Sequence, residues 1–154
     1  MFVEVKPIVD VKIRELCFRP YPGHRNGCPN FNKRSTCPPQ APLIFDVLDL
    51  NEKVYAIYNV FDLGSHVERM KNIHPSWSDR QLKCCLYWQQ KARKELRTKI
   101  IEFLKEFPNY SVVGTPEAQG VNLTETMKNV GIILEWPPEK LTYQIVLAGI
   151  RKGN

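Results

Sequence analysis

The sequence predicts an α+β fold: a mixed β-sheet with one long amphipathic helix and shorter helices packed mainly on one face, plus a Cys- and Pro-rich loop. Three stretches carry this prediction. Residues 54–63, VYAIYNVFDL, are β-branched and aromatic and are bounded by turn residues, which makes them a buried central strand. Residues 78–107 place Leu82, Cys85, Leu86, Ala92, Leu96, Ile100, Phe103 and Phe107 on one helical stripe. The closing run 141–150, LTYQIVLAGI, alternates early and is continuous later, as in a strand buried on both faces. Strands at both ends with helices between them, and no strict βαβ repeat, give α+β. At 154 residues the chain is one domain, 1–154, able to bury about two-thirds of its unfolded surface.

In chain order, residues 2–16 alternate as a strand leading into a turn. After the strand at 54–63, Ser65 caps a short helix that Pro75 stops. The long helix, 78–107, opens on a capping box between Ser78 and Gln81 and ends before Pro108. Its other face carries Lys83, Lys91, Lys94, Arg97 and Lys105, read as a solvated face because few aromatic residues interleave there. A strand at 110–113, a helix at 124–130 stopped by Gly131, a strand at 132–136 and a turn at Pro137-Pro138 lead to the last strand.

Residues 17–39, CFRPYPGHRNGCPNFNKRSTCPP, stand apart from this pattern. Five prolines exclude regular helix and most ladder hydrogen bonds, and no Leu, Ile, Val or Met occurs between Leu16 and Leu43. A segment this long with no aliphatic core needs an external tie, and Cys17, Cys28 and Cys37 supply metal-binding thiols. Arg19, Arg25, Lys33 and Arg34 with no acid among them favour thiolates. Three thiolates on a four-iron cluster leave one iron open; Cys84 or Cys85 is a possible fourth ligand, although helical spacing favours core packing for that pair. With His24 as fourth ligand the same thiols suit a tetrahedral zinc. Tyr21, Asn30, Asn32, Lys33, Arg34 and Ser35 are candidates to line a pocket, and turn-holding accounts for them equally. His66 and His74 read as surface residues.

The amino terminus is too charged for a signal peptide and no span of about 20 apolar residues occurs, so a cytoplasmic protein with no membrane partner is expected. Five cysteines, an odd number, then read as ligands or free thiols rather than a disulfide framework. Phosphate-cradling Gly motifs, paired-His metalloprotease motifs and serine elbows are absent.

The string CPNFNKRSTCPP from Cys28 to Pro39 resembles the signature of a poorly characterised prokaryotic family of predicted metal-binding proteins of the iron–sulfur type. That family carries Cys-Pro-Asn-Tyr-Gly-Lys, then Cys-Pro-Pro, with an earlier cysteine whose place Cys17 would fill. The stretch from Pro116 through Glu125 to Gly131 is faintly similar to the family's closing segment. The gap from Cys17 to Cys28 is longer than the family's, and a second cysteine cluster is missing. The resemblance implies one cluster on Cys17, Cys28 and Cys37.

The function expected from these residues is an iron–sulfur enzyme with an open iron site, acting on a small anionic, nucleotide-like or nucleobase-type substrate, by sulfur transfer or removal. Lys33, Arg34, Glu117 and Glu125 are its candidate catalytic residues. The alternatives are a zinc-stabilised nucleic-acid-binding module and an electron-transfer or cluster-carrier protein.

Overall fold

The computed structural model describes residues 1–17, 19, 25, 27, 28, 33 and 37–153, with Leu16 and Cys17 as backbone only. Four strands form one sheet in the order β1-β2-β4-β3: β1 (Phe2–Val5), β2 (Val54–Asp62), β4 (Leu141–Gly149) and β3 (Ser111–Val113). The α+β class holds, and β2 is central as its composition requires. The sheet is antiparallel at every pairing rather than mixed, with Val3 opposite Ala56, Ile57 opposite Val146 and Val113 opposite Leu147. Asp62 pairs with Leu141, and the Gly64 N–H donates to the Lys140 carbonyl at 3.0 Å, so β4 begins where β2 ends. Residue alternation reports which face a side chain takes and is the same for either strand direction, so the sequence pattern could not reveal this.

Both faces of the sheet are covered, which corrects the expectation of helices mainly on one. Val54, Ala56, Val113 and Leu147 pack on Ile44 of α1 (Ile44–Val47) and on Leu123 and Met127 of α5 (Leu123–Lys128). On the other face, Ile57, Val146 and Ala148 meet Leu96 and Phe103 of α4 (Gln89–Glu106). β2 and β4 have apolar side chains on both sides, so leaving either face bare would cost about 25 cal/mol for each Å² of apolar surface exposed.

The long helix expected over 78–107 is interrupted. Ser78 and Gln81 do form the capping box, opening α3 (Asp79–Leu82), but the chain leaves helical geometry at Cys84 and makes a 3-10 turn, Cys85–Tyr87, before α4. Trp88 is the cause we assign. It stacks on Phe61 with ring centroids 5.0 Å apart, and its indole N–H donates to the Lys83 carbonyl at 3.2 Å. Packing this large, half-buried ring against Phe61 turns Cys85 and Leu86 outward, and Leu86 is 83% exposed. Before it, α2 (Leu63–Ile73) is capped by Asp62, which accepts from the Ser65 N–H at 3.0 Å, rather than by Ser65. Residues 132–136 form no strand.

Asn59, 1% exposed, joins β2 to α4. Its amide donates to Gln144 at 2.9 Å and Glu95 at 3.1 Å, while its oxygen accepts from the Lys99 ammonium. Asn59→Ala strands these partners and is expected to lower the unfolding free energy by about 1–3 kcal/mol, measured by urea denaturation.

His66 on α2 is 3% exposed, not the surface residue expected. Its Nδ1 lies 3.2 Å from the Arg69 guanidinium, which can only donate, so the ring proton sits on Nε2; that atom has no partner among the described residues. Desolvation, with Arg69 adding repulsion, lowers its pKa below 6.5. The unfolded chain therefore binds the proton more readily. Stability is full above about pH 6.5 and falls as pH drops toward the lower folded value. His66→Phe should flatten that acid slope in a melting series.

Candidate functional site

Both ends of the 17–39 loop are tied to one region. The 3-10 helix Val11–Cys17, which ends on the first loop cysteine, packs against the 3-10 helix Glu117–Gln119. Hydrogen bonds from the Asp10 N–H to the Gly120 carbonyl (2.7 Å) and from the Asn122 N–H to the Ile8 carbonyl (2.8 Å) fix that packing. Gly120 has φ +88, and a Cβ there would meet Leu43 Cδ2 at 3.3 Å and the Val11 backbone at 3.6 Å, so the approach needs glycine. Across the loop, Arg14 donates to the Ala41 carbonyl at 2.7 Å, and the Ala41 N–H donates to the Cys37 carbonyl at 2.9 Å. The segments bearing Cys17 and Cys37 are thus bridged by the Arg14 side chain, which holds the backbone turn that carries Cys37.

Cys37 is half-buried and forms part of the wall of a cleft of about 410 Å³. Pro116 and Glu117 line one part of it, Leu134 and Trp136 another, and Tyr143 and Ile145 of β4 also contribute. A second hollow of about 280 Å³ shares Glu117, Leu123 and Trp136 and is bounded by Ile13. The lining is mainly apolar with few polar groups, the usual character of a small-molecule site.

Glu117 is exposed to solvent as a residue, but the protein packed on one side of its carboxyl desolvates it and raises its pKa above 4.5. A carboxyl so placed keeps its proton at higher pH than an ordinary glutamate and can donate it. The folded state binds this proton more tightly than the unfolded chain, so stability is full below about pH 4.5 and declines as pH rises through the raised value. Glu117→Gln should therefore raise the melting temperature at neutral pH, with the gain vanishing in acid.

The other predicted residues separate. Cys28 is half-buried, next to a buried Gly27 with φ +80. Lys33 is exposed in a turn, while His24, Arg34, Tyr21, Asn30, Asn32 and Ser35 lie outside the described residues. Glu125 is exposed in the first turn of α5, where its N–H donates to the Asn122 cap, and it does not line the cleft. Cys84 is half-buried and Cys85 exposed, so neither is the core residue that helical spacing suggested. They adjoin Trp88, stacked on Phe61 on the α4 side of the sheet, whereas Cys37 shares its cleft with Ile145 on the α5 side. The sheet stands between them. Among the described residues no three His, Cys, Asp or Glu side chains converge on one point, a set that leaves out the Cys17 thiol and His24.

Trp136 is the cleft residue that sequence reasoning missed. It is 66% exposed, and its indole N–H donates to Thr124 at 3.1 Å. Glu135, beside it, accepts from the N–H groups of Lys140, Glu139 and Leu141, the Lys140 bond doing most to lower its carboxyl pKa. This turn fixes the end of the segment that carries Trp136. A tryptophan directly before Pro137-Pro138 signalled it.

No helix among the described residues is long and apolar enough to cross a membrane. No family model, no curated protein and no solved structure matches the chain.

Proposed function

We propose that the chain is an iron–sulfur enzyme in which Cys17, Cys28 and Cys37 hold one four-iron cluster beside a cleft that seats a small planar, anionic or nucleobase-type substrate. The observation that carries this reading is the shared wall: Cys37 lines the same cleft as Glu117, whose pKa is raised. The donors fit the group. Cys28 and Cys37 are free thiols, each half-buried, and the Arg14 and Ala41 hydrogen bonds bring the Cys17 segment to the same side of the sheet. The likeness of residues 28–39 to the iron–sulfur signature supports the same assignment. With Cys84 and Cys85 beyond the sheet, three thiolates are the set this region supplies, and a cluster so held offers one iron as a Lewis acid.

The chain's own residues have separate tasks. Leu134 and Ile145 exclude water from the cleft, Trp136 presents a ring face to a flat substrate, and Glu117 delivers a proton to a leaving or developing anionic atom. The test is titration of anaerobically prepared protein with nucleobases and their thio-derivatives, read by tryptophan emission against Trp136→Phe. A ligand that quenches the wild type, binds Trp136→Phe at least about tenfold more weakly and loses a proton-linked step in Glu117→Gln supports the reading. Failure of the whole panel to bind would overturn the substrate class.

A further inference from the structure

The net positive charge of the chain is concentrated in one stretch. Between residues 69 and 99 there are nine Lys and Arg against only Asp79 and Glu95, while the rest of the chain holds thirteen against fourteen, from totals of 22 and 16. Both acids are engaged: Asp79 pairs with Lys83 at 3.2 Å, and Glu95 accepts from Asn59. Lys91, Arg93, Lys94 and Arg97 are exposed on the first half of α4, with no salt bridge among the described residues.

At the start of α4 the interrupted helix builds something that its sequence periodicity concealed. His74 stacks on Trp77 with centroids 3.8 Å apart and planes 4° from parallel, and Trp77 meets Tyr87 at 5.3 Å. Tyr87, the outer ring, is 56% exposed, and Leu86 beside it 83%. A row of three aromatic rings, His74 stacked on Trp77 and Tyr87 tilted 38° against it with its side chain exposed, followed directly by cations without salt bridges, has the two parts of a single-strand binding site: a stacking platform and a track for phosphates.

We propose that this surface binds single-stranded nucleic acid, a base stacking on Tyr87 while the backbone runs along Lys91, Lys94 and Arg97. The site lies on the α4 side of the sheet, away from the Cys37 cleft, and does not depend on the cluster. An acidic protein would satisfy the cations but leave the ring column without a role, so the aromatic stack decides the class.

The test is fluorescence anisotropy of the full chain with labelled oligothymidine and oligouridine of about 15 nucleotides, a matching duplex, and poly-glutamate as competitor, at about 50 and about 200 mM salt. Single strands should bind more tightly than duplex, with affinity falling steeply as salt rises. Tyr87→Ala should weaken binding at least about fivefold and Tyr87→Phe should restore it. Lys94→Gln with Arg97→Gln should reduce the log–log salt slope by about 1.4. These positions are exposed, so the variants should fold, and thermal melts verify it. A preference for ribose or deoxyribose strands assigns the nucleic acid and upholds the proposal. Equal affinity for duplex, indifference to Tyr87→Ala, displacement by poly-glutamate at equal charge, or no binding at the lower salt would each overturn it.

Discussion

Phe103→Ala is expected to lower the unfolding free energy by about 3–5 kcal/mol, a large part of the ~5–15 kcal/mol that holds a domain of this kind together. Phe103 is 1% exposed and stands where α4 meets the sheet. Its ring touches four others: Phe107 at 4.6 Å, Phe2 at 5.1 Å, Tyr55 at 5.7 Å and Tyr110 at 5.8 Å. These come from the C-terminal cap of α4, from β1, from β2 and from the turn before β3, so one deletion loosens four parts of the chain together. Truncation removes the transfer free energy of the ring and leaves a cavity that rings fixed by separate elements fill only in part. Urea denaturation should show a lower midpoint with unchanged slope. A loss under about 1 kcal/mol would show that the aromatic cluster collapses around the gap and is not the keystone described here.

The second large effect is expected at the cysteines. If Cys17, Cys28 and Cys37 share one cluster, Cys28→Ser and Cys37→Ser should each strip iron and sulfide together, since two thiolates retain a four-iron cluster poorly. Cys84→Ser and Cys85→Ser, on the other side of the sheet, should leave the content unchanged. The two sets also differ in the fold: Cys28→Ser should leave the melting of the sheet core nearly unaltered, because that core is built from residues such as Ile44, Leu147 and Phe103 that lie outside the loop. Equal loss in all four variants would point to general instability in place of ligation. Loss on Cys84→Ser alone would move the metal to the other face.

Much of this architecture was legible in the residues. The run 54–63 announced a central strand because it is apolar on both sides, and Ser78 with Gln81 announced a helix start through a reciprocal cap. What stayed hidden depended on contacts distant in sequence. Helical spacing continues unbroken through Cys85 and Leu86, and only Phe61, far earlier in the chain, captures Trp88 and interrupts it. The same capture exposes Tyr87, so the platform was invisible for the reason that the helix looked continuous. At the cleft, Cys37 and Glu117 were both singled out by sequence, but their meeting depends on the pairing of Val9 with Val121 and on the Arg14 bond to Ala41. Residues 132–136 look strand-like in composition, yet Ile133 and Trp136 are exposed, and Glu135 turns the chain by accepting three backbone N–H groups.

The central claim is that the loop cysteines carry a cluster at the wall of the Glu117 cleft. Its most direct measurement is iron and acid-labile sulfide per chain in protein purified without oxygen, with the absorption spectrum recorded on the same sample. The account predicts about four irons and about four sulfides with a broad brown band near ~400 nm. Colourless protein holding one zinc and no sulfide would contradict it and would return Cys17, His24, Cys28 and Cys37 to a structural zinc site.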